Sequence, residues 1–489
     1  MTKTICVVGG GLAGGIVAST LAAKGYAVTL IDLGDAPVPL LPANEIWEPT
    51  AIKAPFTRGC GMGGTSNFWH GGLTVLDKTD IEGIAGYPRH RGAPIAYHQL
   101  REYYARAIAL LGAGEQRYSL DAIEAPLVAP LEGFGDFGDT FRPKALLYPH
   151  RAFSTVPLIE RASKHHGLQV VTNVEVKRLV ASSSGRIGYA EGVDLKSAAR
   201  RTFPADVFIL SAGGLGSPKV LLQSLDYCPA LGPLPIGRFM IDHPTGFVFK
   251  AKLRRRMDMG PLFGLSHEGY KLQYGFAIAE NHRALADYRN HILYLRPAVS
   301  LKDPSSYDVL KRRLVSYKGR NLSALDFVHL FRHADLLFDA INFKYGLFHS
   351  TRYVSGFVFA EQFPDDDSGI SLLDNGKFTI KWRFSPEDSL SLEKFISVFS
   401  ARYAHLFEAF QMFGGISARL DSAGHHSGAC RMATASGEGV VDADLRVFGT
   451  ENLFVADGSV LAYAGHANTG LTIAALALKC CDAVDAAQA

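Results

Sequence analysis

The chain has 489 residues, 50 Lys and Arg against 47 Asp and Glu, a net charge of +3, and 47% hydrophobic and 20% charged residues. That length exceeds what one hydrophobic core usually organises, so two or three subdomains are expected. The ordinary composition excludes a disordered chain, and so small a net charge gives no reason to expect a nucleic-acid partner. Glycine is abundant, at 50 residues against a usual ~7%, which points to many tight turns and close approaches of backbone to a ligand.

The chain passes from Met1-Thr2-Lys3 straight into a strand-like run, Thr4 to Val8, so no secretory signal is expected. No run of ~18 uncharged apolar residues marks a transmembrane helix. The six cysteines, Cys6, Cys60, Cys228, Cys430, Cys480 and Cys481, lack metal-ligand spacing. They read as free thiols of a cytoplasmic protein, and no metal is expected.

The apolar strand Ile5 to Val8 leads into Gly9-Gly10-Gly11-Leu12-Ala13-Gly14. A small-residue helix, Ile16 to Lys24, and a second strand, Ala27 to Ile31, follow, ending at Asp32. This is G-x-G-x-x-G between strand and helix, with an acid about 20 residues on. Gly9 makes the turn, Gly11 lets backbone approach a pyrophosphate, and Gly14 lets helix pack on strand. The helix N-terminus favours phosphate, Leu12 and Ala13 of the loop before it are candidate cofactor contacts, and Asp32 can accept from ribose hydroxyls. The spacing alone does not separate FAD from NAD, and a glycine-rich turn without ligand is the bland alternative. A second glycine-dense run, Arg58 to Gly72, carries Gly63-Gly64-Thr65-Ser66 and then Phe68-Trp69-His70. It suits a loop against a flat ring system, the alternative being a surface Ω-loop.

Three further stretches return to this domain. Leu168 to Val176 reads as a strand, and Asp206 to Leu210 as a buried strand running into Ala212-Gly213-Gly214 and a helix, Lys219 to Ser224. Near the end, Leu453 to Ala456 precedes Asp457-Gly458-Ser459, and a helix spans Thr472 to Val484. A dinucleotide domain drawn from both ends and the middle of a chain is not a plain dehydrogenase layout.

On these pieces, together with Gly237-Arg238-Phe239-Met240-Ile241-Asp242-His243-Pro244 and the tail from His425 onward, the chain resembles the glucose-methanol-choline (GMC) flavin oxidoreductases. The resemblance implies an α/β fold: a Rossmann-like FAD-binding domain with an inserted α+β substrate domain on an antiparallel sheet. The expected divisions are 1–225 and 421–489 for the flavin and 226–420 for the substrate. It implies FAD, oxidation of an alcohol, and further cofactor contacts at Val174, Ala212, Asp457, Gly458 and Thr469. The family's catalytic histidine, three residues before a glycine, falls on His425, and its second catalytic residue, counted back from Lys479, falls on Asn468. Alcohol oxidation sends a hydride to flavin N5 and needs a base for the hydroxyl proton, which an imidazole near neutral pKa supplies. His426 follows His425, and on extended chain the two face opposite ways. His466, two residues before Asn468, is a weaker site candidate.

Trp69 and Asn468 resemble the pyranose oxidase-like branch, where the residue before that tryptophan is a histidine tethering the flavin. Here it is Phe68, which has no nucleophilic atom, so FAD is expected to be non-covalent, and His70 does not take over that role.

Strand-like runs at Gly246 to Leu253, Tyr270 to Ala279, His291 to Val299, Val354 to Glu361 and Phe378 to Phe384 predict the antiparallel sheet. Gln362, at the end of one, is a weak substrate-contact candidate. Residues 305–348 read as helical, favouring core or lid over a membrane-facing helix. The expected substrate is a small-molecule alcohol, a sugar, glycoside or polyol. The alternatives are a hydrophobic alcohol or sterol, a flavin-containing lyase, or a flavin protein without turnover. Oxygen, a quinone or a protein carrier would each serve as electron acceptor.

Overall fold

Five fully apolar or nearly apolar runs form one parallel sheet. In the computed structural model the strands lie in the order Leu453–Val455, Val207–Leu210, Thr4–Val8, Ala27–Ile31, Gln169–Val171, each pair parallel. Residues 2–39, 44–49, 58–84, 90–112, 120–124, 131–149, 152–267, 270–280, 282, 288–298, 300–302 and 350–488 are described. A parallel sheet must be covered on both faces, which is why these strands do not alternate. Helices Leu12–Ala23 and Gly470–Gln488 pack on each other beside the sheet. Cys480 and Cys481 are both fully buried in that last helix.

The expected strand Leu168 to Val176 is broken in two. Asn173 sits at φ +59°, a conformation asparagine tolerates better than most residues. The side chains of Thr172 and Asn173 both donate to Asp35. The first piece, Gln169–Val171, closes the parallel sheet. The second, Val174–Ser183, starts an antiparallel sheet with Arg186–Asp194 and Arg200–Pro204. The helix expected from Lys219 starts at Gly213. Its entry is held from outside by Asp457, which accepts from Gly213 N–H, and from within by Ser217 Oγ, which accepts from Ala212 N–H.

Four of the five predicted middle strands join one eight-stranded antiparallel sheet: Tyr270–Ile278, Ile292–Pro297, Ser350–Phe359 and Pro244–Asp258. Phe141–Tyr148, not predicted, also pairs with Tyr270–Ile278. Phe378–Lys381 lies elsewhere, with Gly369–Leu372 and Glu45–Trp47. Helix Pro386–Arg402 has Pro386 in its first turn and Ser385 Oγ accepting from Asp388 N–H, a standard start. It packs Phe395 and Phe399 against Phe141, Phe249 and Phe276 of the large sheet. No described helix is long and apolar enough to cross a membrane. The helical reading of 305–348 falls outside the described residues.

Candidate active site

The glycine loops come together first. Gly9 has φ +99°, and a Cβ there would meet the Ser211 carbonyl, while a Cβ on Gly14 would strike the Gly9 carbonyl. Both positions are therefore closed to side chains. Gly11 differs: its backbone is ordinary extended chain (φ −70°, ψ −159°), and a Cβ there would meet no protein atom within 4 Å. Gly64 packs directly over Gly11, so the Gly63-Gly64 loop and the first glycine loop form one cradle. Thr65 Oγ1 accepts from Gly59 N–H at 3.1 Å, and Ser66 Oγ donates to the Gly63 carbonyl at 2.6 Å, fixing that loop. Thr155, fully buried under both loops, was not predicted. Asp32 ends its strand with Oδ2 accepting from Gly10 N–H at 2.5 Å and Oδ1 from Gly34 N–H at 3.3 Å. Val174 N–H donates to the Asp32 carbonyl. An open glycine position, a helix start without side-chain cap or acid in its first turn, and a carboxylate at the strand end fit a dinucleotide such as FAD.

The second half is built by two segments that pair antiparallel at Ile241 and Ser427. Gly428 (φ +86°) lies against the Phe239 carbonyl, where no side chain fits. The pairing places Asp242 beside the histidine run. Asp242 Oδ1 accepts from His243 N–H at 2.7 Å and from His425 N–H at 2.8 Å, and Oδ2 accepts from Ser422 Oγ. His425 and His243 meet through their Nδ1 atoms at 2.8 Å, with ring planes at 88°. His243 Nε2 lies 2.8 Å from the Gly465 carbonyl and 3.2 Å from that of Ala464. The other face of His425 is parallel to Phe359, centroids 6.2 Å apart. His426 points to different partners, Asp242 Oδ2 at 3.5 Å and the Trp47 ring at 5.9 Å.

Asn468 and Trp69 belong to one neighbourhood. The Asn468 amide lies against Gly72, and Gly470 against the Trp69 ring, whose Nε1 donates to the Phe153 carbonyl at 2.7 Å. Segment 464–470 therefore links His243 at one end to the aromatic loop at the other. His466 is buried in the same segment, with Nδ1 4.0 Å from Asp77 Oδ2 and no hydrogen-bond partner on either ring nitrogen among the described residues. Asp457, expected to touch cofactor, has its carboxylate occupied by Gly213 N–H, Ser217 and Ser459, tying two strand ends together. Gln362, expected to reach substrate, is likewise consumed by the frame: Oε1 accepts from Trp382 and Asp242 N–H, and Nε2 donates to the Arg383 carbonyl. Among the described residues, Asp80, His90 and Glu361 converge within 4.8 Å, close enough to hold a metal ion.

Burial governs the titration of these groups. It pushes His243 down to about 4 and both His426 and His466 down to about 3, and holds His425 well below its usual value. Burial raises Asp242 to about 6, against the opposing pull of its hydrogen bonds. A histidine with a depressed folded pKa stabilises fully above the unfolded value of ~6.5, and the stability is lost as pH falls toward the folded value. Asp242 acts oppositely, gaining stability as pH falls below about 6. Burial raises Asp32, Asp388 and Asp457 in the same sense as Asp242. The histidines, however, are joined by carboxylates held low by their partners, among them Asp77, Glu45, Asp206 and Asp482, which also lose stability on acidification, so the urea midpoint is expected to fall from pH 6.5 to 4. In His466→Met that slope is expected to be shallower; an unchanged slope would show that His466 is not held neutral.

Residues 397–477, which contain His425 and Asn468, match the GMC oxidoreductase family. The fold is similar to that of pyridoxine 4-oxidase from Mesorbium loti (17% identity, TM-score 0.58, 98% of this chain and 99% of that one). It is also similar to a formate oxidase (15%, 0.60, 99% and 98%) and to a variant of Aspergillus oryzae RIB40 formate oxidase studied for FAD modification (16%, 0.61, 99% and 98%). No curated protein sequence matches. The chain thus carries a GMC oxidoreductase C-terminal region on a mixed α/β fold shared, over nearly its whole length, with these oxidases.

Proposed function

We propose that this protein is an FAD-dependent oxidoreductase that oxidises a secondary hydroxyl of a sugar, glycoside or other polyol to a carbonyl. The observation that carries the reading is His425: a partly buried imidazole, fixed at Nδ1 by His243 and at its backbone by Asp242, with Nε2 uncommitted among the described residues. FAD, when bound, supplies a hydride acceptor at its N5. The chain's own part is proton chemistry and positioning. His425 Nε2 takes the hydroxyl proton: the O–H bond breaks, an N–H bond forms, and the electron pair stays on the substrate oxygen. The Asn468 amide, packed on Gly72 of the aromatic loop, orients the hydroxyl. Asn468 together with Trp69 supports a polyol substrate and the pyranose oxidase-like branch. On this reading 1–225 and 421–489 hold the flavin and 226–420 the substrate. Phe68 leaves the flavin without a covalent tether.

Anaerobic bleaching of the flavin tests the reading. Sugars, glycosides and polyols are expected to bleach it, and sterols and long-chain alcohols to leave it yellow. Pyridoxine and formate belong in the panel because the structural neighbours are named for them. Bleaching by a hydrophobic alcohol alone would overturn the polyol assignment. Bleaching by no alcohol would overturn the proposed reaction.

A further inference from the structure

We infer that His243 is a positioning residue that sets the tautomer of His425, keeping the lone pair of the base on Nε2; the inference rests on reading His425 as the base. It follows from which atoms can only accept. His243 Nε2 faces two backbone carbonyls, Gly465 at 2.8 Å and Ala464 at 3.2 Å, so that nitrogen carries the proton. In a neutral ring Nδ1 is then bare. His425 Nδ1, 2.8 Å away, must donate to it. A neutral His425 has one N–H, so its Nε2 is the acceptor.

The reverse assignment sets the lone pair of His243 against two carbonyl lone pairs in a fully buried site, which is costly. It also puts a proton on His425 Nε2, where a base cannot use it. A half-turn of either ring would put C–H groups where the ring nitrogens now meet each other and, for His243, the Gly465 and Ala464 carbonyls, and would forfeit these hydrogen bonds. The depressed pKa of His243 agrees with a neutral ring. Segment 464–468, which ends at Asn468, thereby determines the protonation pattern of a histidine in another part of the sequence.

Side-chain ¹⁵N spectra of the FAD-loaded protein test this directly, with signals assigned through His425→Gln and His243→Asn. The expected pattern is a protonated Nδ1 and bare Nε2 on His425, and the opposite on His243. In His243→Ala the His425 signals are expected to become a tautomer mixture. Flavin reduction by the bleaching substrate is expected to slow about tenfold, the worth of one hydrogen bond. His243→Asn places an oxygen near the lost Nδ1 and is expected to restore both the pattern and most of the rate. A wild-type His425 protonated at Nε2 overturns the inference. So does a His243→Ala protein of normal flavin content with unchanged tautomer and rate. If His243→Ala loses its flavin, the wild-type spectrum and the asparagine variant decide. If the tautomers are as stated but His425→Ala reduces flavin normally, the base reading fails and the hydrogen-bond assignment stands.

Discussion

Replacing His425 with alanine is expected to leave FAD bound and to slow anaerobic flavin reduction by about 10²–10⁴-fold, the usual contribution of a positioned general base. Binding should survive because the glycine cradle and Asp32 lie in a different part of the fold from the imidazole. The pH profile separates this loss from a general disturbance. Burial, then the neighbouring His243 and His426, hold the His425 pKa well below its usual value. The wild-type rate is therefore expected to rise with pH only on the acid side and to be level through neutrality. That acid limb should be missing in His425→Ala. His426→Ala is expected to be mild, since its ring turns to Asp242 and Trp47. Asn468→Ala should slow reduction yet keep the acid limb, because an amide does not titrate. A crippled His426→Ala beside a mild His425→Ala would move the base by one residue.

Gly11→Val is expected to give a folded protein that holds no flavin. Valine is compatible with the extended backbone at this position, and its Cβ meets no protein atom within 4 Å. The Cβ therefore enters open space, and on the proposed reading what the side chain displaces is the pyrophosphate. Far-ultraviolet circular dichroism should match wild type while the flavin absorbance disappears. Gly14→Ala makes the contrast, because its Cβ collides with the Gly9 carbonyl and stability itself should suffer. The wild-type control should release all its flavin on acid precipitation, as Phe68 forms no tether. A Gly11→Val protein of normal flavin content would remove the basis for placing the cofactor at the first glycine loop.

The parallel strands were legible because burial on both faces writes an unbroken apolar run followed by glycine, as in Thr4–Val8 and Val207–Leu210. Asn173 hid its break because the residues on both sides of it are strand formers. Phe141–Tyr148 was missed because Arg142, Pro143 and Lys144 blur its alternation. In the candidate site, His425 and Asn468 were placed by the family resemblance, through their distances from Gly428 and Lys479 within one segment. Asp242 and His243 were visible as part of a resembling stretch but carried no role there. Their role comes from partners some 180 residues away, and no local pattern encodes such a contact. Gln362 shows the complementary limit: the end of its strand was found, but which way a terminal side chain turns depends on Trp382 and Asp242 across the fold.

The strand order of the parallel sheet has a consequence for how the protein is made. Its first strand is Thr4–Val8, its edge is Leu453–Val455, and helix Gly470–Gln488 packs on Leu12–Ala23. A ribosome adding about 5–20 residues per second delivers that edge strand on the order of 20–90 s after the first one. Through that interval Val207–Leu210, completely buried in the finished protein, has an open hydrogen-bonding edge, and the apolar helix Leu12–Ala23 lacks its cover. Open apolar edges are templates for wrong pairing. The growing chain is thus a natural client for chaperones, and chains truncated before the final helix are expected to aggregate.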